Sequence, residues 1–480
     1  MHPQVSQIAQ NHQSNHEILQ KILDEGQYFI FNDYTNKDKF FDLVRTSLFQ
    51  GIESIEGRDC RQAIETEGLH KMHEHFSADN IMHLEKFVKD KIGTPLLQVT
   101  SEIAKNDLGL KKKFFVEDII EVRLHYPFEN ARQSKVTFKD YDSYMYGEPV
   151  KPPSREQKLK SKVKSFIKKF INYVDSKVLK QSNKDISGGI EYYEYHGVLP
   201  YAAAAHGPHI DSWLGNPLNG INLWWAIAGV KENNTVILYP ETFGNPLEHI
   251  ENGAYIAPGI TLPKPIPITL SDNSLLIFNS DLLHGTHLNI SEFTRVAITT
   301  RIAIPKEEKS SQLRFNINAS KGLLAKDWHD SEDIAKGELE TITEFWRGKE
   351  NSGVPHEHIQ KLHLEKRISI TVNSAFLEEV PITLCPDHTL GIGEKMLVKF
   401  KKESVIVFRT IEGFQAVNAI CPHLGINLID GFHDEQHIYC PGHGVAFCLA
   451  DGSSQCNLLK LRVYRAYAQD GQIVLEKLRS

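Results

Sequence analysis

Two short segments in the C-terminal part of the chain each combine a cysteine with a histidine. They are Cys421-Pro422-His423 and Cys440-Pro441-Gly442-His443, and their prolines and glycine are typical of turns. Two thiolates and two imidazoles suit a [2Fe–2S] cluster in which histidines replace two of the four cysteines on one iron, which raises its reduction potential. A zinc site is the alternative, but structural zinc sites usually space each pair differently and continue into a short helix.

The segments around this quartet favour the cluster, because they predict strands at 405–408 and 444–447. The stretch from 405 to 447 resembles the Rieske ferredoxin domain, and the glycines and leucine that carry this resemblance are Gly425, Leu428, Gly431 and Gly444. Rieske domains of respiratory complexes carry two extra loop cysteines that form a disulfide. The matching positions here are Gly425-Ile426 and Pro441-Gly442, so this disulfide cannot form. The resemblance is therefore to the soluble ferredoxin and oxygenase type, which implies a lower potential and cluster histidines exposed at the domain tip.

A second constellation of metal-ligand residue types lies in the first two thirds of the chain. His209-Ile210-Asp211 places an imidazole and a carboxylate two residues apart, so on a strand both face the same side and can share one ion. His284, which follows the apolar run 275–279, completes a two-histidine, one-carboxylate triad that leaves positions open on ferrous iron. Arg295 lies in the next predicted strand and can pair bidentately with a carboxylate of 2-oxoglutarate.

This assembly is similar to the Fe(II)- and 2-oxoglutarate-dependent dioxygenases, and most similar to the phytanoyl-CoA dioxygenase family. The matching positions are the His209-x-Asp211 pair, His284-Gly285, Asn289, Ser291 and Arg295. The resemblance covers about residues 20–305 and implies a double-stranded β-helix, or jelly roll. The chain departs from the family in its middle strands, where Asn234-Thr235 and Pro240-Glu241-Thr242-Phe243 replace the usual residues. A coenzyme A thioester substrate is therefore not assumed.

Other polar residues near these positions have competing interpretations. Asn222 and Ser291 are candidate cofactor contacts. His206 and His287 are interpreted as supporting or surface histidines, with His287 as the reserve third iron ligand. Arg301 lies on the same strand face as Arg295 and is the alternative carboxylate clamp, although the family offset favours Arg295.

Length and composition set the broad class. A chain of 480 residues with a net charge of −7 is long enough for two or more domains and has no nucleic-acid-binding charge signature. Six cysteines, among them the two of the quartet, favour a reducing compartment, with Cys448 and Cys456 as buried free thiols. The sequence shows neither a signal peptide nor an apolar run long enough to cross a bilayer, so we expect a cytoplasmic protein that is not integral to a membrane.

The predicted architecture is a multidomain α+β protein. Residues 1–305 are expected to form the jelly-roll domain with flanking helices, 306–366 a charged helical connector, and 367–480 a small all-β Rieske domain. Helices are predicted at 37–49 and 78–110, and a lysine-rich surface helix at 154–174. Strands are predicted at 27–32, 220–229, 235–240, 274–279 and 294–305.

These features together predict a non-heme iron oxygenase that hydroxylates a small molecule with 2-oxoglutarate and O2. Because that reaction needs no outside electrons, the cluster is expected to return stray Fe(III) to Fe(II). No dinucleotide-binding glycine motif follows a strand, so a separate flavin reductase or ferredoxin is the expected electron donor, and homo-oligomerisation is compatible with the scheme. The alternatives are a reductase-driven Rieske-type oxygenase without 2-oxoglutarate and a non-enzymatic redox sensor.

Overall fold

A computed structural model describes thirteen stretches of the chain, which are residues 15–118, 120–137, 140, 200–203, 205–214, 216–245, 247–249, 256–257, 259–305, 326–337, 341–344, 368–378 and 380–478. The predicted lysine-rich helix at 154–174 lies outside the described residues, as does most of the predicted connector.

Most of the α-helices that the structure describes lie in the first 110 residues. They are α1 Asn15–Glu25, α2 Lys37–Glu56, α3 Arg58–Glu67, α4 Ile81–Asn106, α5 Phe128–Ala131 and α6 Ser331–Lys336. The prediction at 37–49 is therefore seven residues too short. The helix ends only before Gly57, which adopts a φ of 91° and donates its N–H to the carbonyl of Glu53.

Eleven strands form two antiparallel sheets in the N-terminal unit. They are β1 Phe29–Phe31, β2 Phe115–Glu117, β3 Glu121–His125, β4 Gly220–Ala228, β5 Val236–Leu238, β6 Ile266–Pro267, β7 Ser274–Asn279, β8 His284–Thr286, β9 Arg295–Ala303, β10 Lys326–Asp330 and β11 Thr341–Glu344. The large sheet has the order β1-β7-β4-β9-β2-β10-β11, with β3 also paired to β9, and the small sheet has the order β6-β5-β8.

Alternating side chains of β4 serve two different cores. Leu223 and Trp225 pack with the helices on one face of the large sheet. Trp224 faces the opposite side, where it packs with residues of the small sheet such as Val236 and Leu238. The large sheet is therefore covered on one face by helices and on the other by the small sheet, and the candidate iron ligands lie on this second side.

The part of the predicted connector that the structure describes consists of one short helix, α6, and the two strands β10 and β11. Strands β10 and β11 extend the large sheet, and Trp328 of β10 is buried with Phe115 and Ala303. Burying this large aromatic side chain outweighs the charged composition of the surrounding segment, which had favoured an exposed helix. The N-terminal unit thus continues beyond the predicted boundary at residue 305.

The C-terminal unit is built from β-strands. They are β12 Ser369–Thr371, β13 Ile382–Pro386, β14 Lys395–Lys399, β15 Ser404–Thr410, β16 Gly413–Asn418, β17 His437–Tyr439, β18 Ala446–Cys448, β19 Val463–Gln469 and β20 Gln472–Lys477. Seven strands form a sheet in the order β12-β14-β15-β16-β19-β20-β13, and β17 pairs with β18. The chain is thus a multidomain α+β protein with an all-β unit at its C-terminal end. Among the residues the structure describes, no helix has the length and apolar character needed to cross a bilayer.

Candidate metal centres

The Cys/His quartet lies on two loops with the same hydrogen-bonding pattern. In the first loop, the N–H of Cys421 bonds the carbonyl of Ile426, and the N–H of Gly425 bonds the carbonyl of Cys421. In the second loop, Cys440 bonds Val445 and Gly444 bonds Cys440 in the same way. Gly425 and Gly444 adopt φ values of 73° and 74°, a left-handed conformation that is unfavourable for residues with a Cβ.

The two loops bring the four candidate cluster ligands together in a buried site. Cys421, Cys440 and His443 are each 1% exposed, and the rings of His423 and His443 are 5.0 Å apart. A hydrogen bond from the thiol of Cys421 lowers the pKa of Cys440, and backbone N–H groups of the loop add to that effect. These donors stabilise the thiolate of Cys440, the form that binds iron, whereas the hydrogen bond to Cys440 and burial raise the pKa of Cys421.

The spacing of the ligand atoms bears on the choice between zinc and a cluster. Within the described residues, three ligand atoms lie within 4.8 Å of one another at His209, Asp211 and His284 and at the more exposed Glu67, Glu74 and His75, but not in the Cys/His quartet. A tetrahedral zinc ion would draw its ligands that close. The spacing therefore favours a cluster with two iron atoms. Cys448 and Cys456 are free thiols, as the sequence predicts, but only Cys456 is buried, and the prediction that Cys448 is buried is wrong because its strand β18 leaves it partly exposed.

The second candidate centre joins His209, Asp211 and His284. Nε2 of His209 lies 3.8 Å from Oδ1 of Asp211, and Nε2 of His284 lies 3.8 Å from Oδ2. The centroids of the two imidazole rings are 4.4 Å apart. His209 and His284 also exchange backbone hydrogen bonds of 2.8 and 3.0 Å. The expectation that His209 and Asp211 share one strand face is wrong, because a 3-10 turn begins at Asp211. That turn still aims the carboxylate at both imidazoles.

Both histidines are held in the tautomer that a metal requires. Nδ1 of His209 donates to the carbonyl of Gly207 and Nδ1 of His284 donates to that of Leu282, each at 2.8 Å. Each ring therefore presents Nε2 as its basic nitrogen. Burial lowers the pKa of His209 to about 4 and also lowers that of His284, so both imidazoles are neutral at pH 7. Two neutral imidazoles and one carboxylate fit ferrous iron.

The carboxylate of Asp211 is fixed by three side-chain hydrogen bonds. Arg301 donates from Nε and Nη2 at 2.9 and 3.0 Å, and Asn222 donates from Nδ2 at 2.8 Å. Arg301 also bonds the buried Glu117 at 2.9 Å. Burial alone would raise the pKa of Asp211, but Arg301 and the two histidines hold it well below its usual range. Asp211 is therefore ionised, and Arg301 is committed to protein carboxylates rather than to a ligand.

Arg295 has the opposite surroundings. Its Nη1 donates to the carbonyl of Asn234 at 2.8 Å and its Nη2 to Nδ1 of His125 at 2.7 Å. No carboxylate of the described residues forms an ion pair with it, and its buried Nε has no hydrogen-bond partner in the described structure. Burial, together with the nearby Arg123, lowers the pKa of Arg295 to about 9, so the side chain is a buried cation at pH 7.

A cavity of about 190 Å³ connects these groups. It is lined by the three candidate iron ligands and by Asn222, Trp224, Phe278, Arg295 and His206, among others. Asn222 thus lies where the sequence predicts a cofactor contact, although its amide N–H is used to hold Asp211.

Two other predicted or considered residues do not reach the cavity wall. Ser291 donates to Asn289 at 2.7 Å and accepts from Asn234 at 2.8 Å, so it supports the turn whose carbonyl binds Arg295. His287 is not part of the iron-ligand trio, and its Nδ1 donates to the carbonyl of Leu288. The spacing of Ser291 and His287 from the other site residues along the sequence could not predict this result, because spacing does not show which side of a loop faces the cavity.

Comparison with known proteins identifies one part of the chain. Residues 380–462 match the family model described as the Rieske [2Fe-2S] domain. No curated protein matches the chain.

Solved structures similar to the chain include two ferredoxins and one complex. The complex of reduced oxygenase and oxidized ferredoxin in carbazole 1,9a-dioxygenase is 23% identical over 22% of this chain and 100% of that chain, with a TM-score of 0.20. The ferredoxin of carbazole 1,9a-dioxygenase from Nocardioides aromaticivorans IC177 is 23% identical over 21% of this chain and 99% of its own, with a TM-score of 0.20. The Sphingomonas yanoikuyae B1 ferredoxin is 24% identical over 21% and 100%, with a TM-score of 0.19. The family match, together with the two matched loops, identifies residues 380–462 as a Rieske [2Fe–2S] domain.

Proposed function

We propose that this chain is a non-heme iron oxygenase that hydroxylates a small molecule with 2-oxoglutarate and O2. In this proposal His209, Asp211 and His284 hold Fe(II), and Cys421, His423, Cys440 and His443 hold the cluster. The cluster returns iron to the ferrous state with electrons from a separate flavin reductase or ferredoxin. Two antiparallel sheets around the cavity support a jelly-roll fold for the N-terminal unit.

One observation carries the proposal, which is that a buried cation and the iron-ligand trio line the same cavity. A buried guanidinium without a carboxylate partner is costly unless an anion joins it. Arg301, only six residues away on β9, already has two carboxylate partners. An anionic ligand at Arg295 would offset that cost, and in this proposal the ligand is the distal carboxylate of 2-oxoglutarate, which a guanidinium can bind bidentately.

The side chains of the chain then have distinct tasks. His209 and His284 offer neutral nitrogens, and Arg301 with Asn222 keeps Asp211 ionised and fixed in direction. Bound Fe(II) and 2-oxoglutarate supply, with O2, an oxidant strong enough to replace a C–H bond with C–OH. Trp224 and Phe278 form apolar walls of the cavity, which limit the access of water to that chemistry.

Succinate production tests this proposal directly. Holoprotein with both metal centres loaded is supplied with 2-oxoglutarate and O2, and succinate is measured in the wild type and in Asp211→Ala, Arg295→Met and Arg295→Lys. We expect succinate from the wild type, none from the first two variants, and a reduced amount from Arg295→Lys, which keeps the charge but not the fork of donors. Equal succinate from wild type and Arg295→Met would contradict the assigned role of Arg295.

A second candidate function has its own supporting observation. The Rieske domain packs against the N-terminal unit, where His443 contacts Ala205 and Leu288. This contact favours a Rieske-type oxygenase in which the cluster supplies electrons in every turnover and 2-oxoglutarate is not used. O2 consumption driven by a reductant without 2-oxoglutarate, and unaffected by Arg295→Met, would select this alternative.

A further inference from the structure

His443 is held by the N-terminal unit through both its ring and its backbone. Its Nε2 lies 3.1 Å from the carbonyl oxygen of Ala205. A carbonyl oxygen can only accept a hydrogen bond, so Nε2 is the donor and carries the proton. Its own carbonyl accepts the N–H of Leu288 at 3.2 Å. With Nε2 protonated, the ring presents Nδ1 as its basic nitrogen for the cluster. One candidate cluster ligand is therefore bonded to the N-terminal unit at two points.

The two residues that bond His443 belong to the two segments that carry the histidines of the iron site. Ala205 precedes His209 by four residues, and Leu288 follows His284 by four residues. The two segments run antiparallel, with hydrogen bonds exchanged between His209 and His284 at 2.8 and 3.0 Å. A further bond of 2.8 Å joins Thr286 to His206 in the middle. The segments 205–209 and 284–288 thus form a short ribbon between the two candidate centres.

We propose that this ribbon carries the electron from the cluster to the mononuclear iron within one chain. One route runs from the ring of His443 through Ala205 to His209, and the other from the carbonyl of His443 through Leu288 to His284. Each segment of four residue steps spans at most about 14 Å. The inference rests on the proposed function, since it requires iron at both centres.

The step is a one-electron transfer that needs no further reactant. With a cluster held by the Cys/His quartet and iron held by His209, Asp211 and His284, the reduced cluster would give up one electron and ferric iron would accept it. No bond to carbon forms or breaks in this step. Electron tunnelling weakens steeply with distance and is more efficient through covalent and hydrogen bonds than through gaps. Two continuous routes that end on both imidazole ligands therefore favour transfer within the chain.

Burial of the junction leaves no room for a neighbouring chain at His443. His443 is 1% exposed, and Leu288 lies within the buried core of the Rieske domain. A Cβ on Gly444 would lie only 3.2 Å from the ring of His287. A second copy of the chain cannot reach this face without separating the units. The opposite loop has an exposed Pro422 and a half-buried His423, whose ring packs edge-on against Phe128 of the N-terminal unit, so in this proposal the electron donor approaches the cluster at Pro422.

Complementation between two single-centre variants tests the route. Asp211→Ala keeps the cluster and loses the mononuclear site, whereas Cys440→Ala keeps the mononuclear site and loses the cluster. Protein with ferric mononuclear iron is mixed anaerobically with one reducing equivalent of dithionite, and freeze-quenched samples are read by electron paramagnetic resonance.

We expect the wild type to lose its high-spin ferric signal much faster than Cys440→Ala alone. The mixture of the two variants should be no faster than Cys440→Ala alone. Loss of the signal in the mixture at the wild-type rate would overturn transfer within one chain.

The same spectra separate failure of the route from failure of the proposed function. A high-spin ferric signal that is absent from Cys440→Ala, or that persists in Asp211→Ala, would overturn the iron site itself. A normal ferric signal that the wild type loses no faster than Cys440→Ala would overturn the route alone. Leu288→Ala and Leu288→Pro form a matched pair. Both remove the leucine side chain, but only the proline variant also removes the backbone N–H that donates to the carbonyl of His443. With both centres present in each, we expect slower transfer in Leu288→Pro, and equal rates would remove the Leu288 route.

Discussion

Two arginines on β9 allow a prediction with its own internal control. Arg295 is buried and Arg301 is partly buried, with 14% of its side chain exposed, and they lie six residues apart on the same strand. Arg301 forms ion pairs with Asp211 and Glu117, both at 2.9 Å, whereas Arg295 has no ion pair within the described residues. Replacing each arginine with methionine, which keeps an unbranched apolar stem, should therefore have different effects on stability.

Arg301→Met should strongly destabilise the N-terminal unit in the absence of metal. The substitution leaves two fully buried carboxylates without their cation. Breaking a buried ion pair by removing one partner costs about 3–5 kcal/mol, because the remaining charge is uncompensated. Against a typical total stability of about 5–15 kcal/mol, that is a large fraction.

Arg295→Met should have a much smaller effect on stability. It leaves the Asn234 carbonyl and His125 Nδ1 without their donors, which costs about 1–3 kcal/mol each. It also removes an uncompensated buried cation, whose effective desolvation penalty is several kcal/mol. These opposing contributions place the net change within about 2 kcal/mol of zero.

Tryptophan fluorescence during urea unfolding measures this difference. Four of the five tryptophans, Trp213, Trp224, Trp225 and Trp328, are buried in the N-terminal unit, and none lies in the Rieske domain at 380–462, so the emission mainly reports the N-terminal unit. The visible absorption of the cluster follows the Rieske domain separately, which matters because a multidomain chain need not unfold in two states. The midpoint for Arg301→Met should fall by roughly 1–2 M urea, with a small change for Arg295→Met.

Equal midpoints for the two variants, or a larger loss in Arg295→Met, would refute the different assignments of these arginines. Either result would mean that Arg295 already has an anionic partner in the protein, or that Arg301 does not neutralise Asp211 and Glu117.

Three further predictions concern the iron site, a buried acid and a cluster loop. Asn222→Ala removes a hydrogen bond to Asp211 and should weaken Fe(II) binding about 10–100-fold, as measured by competition with a metal-binding dye. Burial raises the pKa of Glu85 to about 8, so the folded state prefers the protonated acid and stability should fall as pH rises from about 4 to 8. Glu85→Gln should lose this dependence in urea unfolding at several pH values, and an unchanged slope would contradict it. Gly425→Ala should destabilise the Rieske domain by about 1–2 kcal/mol in thermal bleaching of the cluster, because φ is 73° there. Gly425→Asn should cost less, since asparagine tolerates this conformation.

The sequence was sufficient where the spacing of residues determines local geometry. The Cys/His quartet and the glycines that follow its cysteines predicted the Rieske domain, and the family match confirms it. Helical periodicity predicted α2 and α4, and apolar runs predicted β4 and β7, with errors mainly at their ends. Each of these signals depends on neighbours within a few residues along the chain.

The parts that the sequence did not reveal depend on contacts between distant segments. Arg301 reaches Asp211 because β9 pairs with β4 in a register that sets Arg301 opposite Asn222. Nothing in the spacing of these residues determines that register, and Glu117 on β2 carried no signal of its own. The same holds for Ala205, whose contact with His443 depends on how the two units pack.

The claim that 2-oxoglutarate binds at Arg295 is tested most directly by binding under anaerobic conditions. Holoprotein with Fe(II) in the mononuclear site is titrated with 2-oxoglutarate, and binding is followed by calorimetry in the wild type and in Arg295→Met. We predict one 2-oxoglutarate per iron-loaded chain and loss of that binding in Arg295→Met. A filled iron site that binds no 2-oxoglutarate, or binds it equally well in both proteins, would contradict the proposed function.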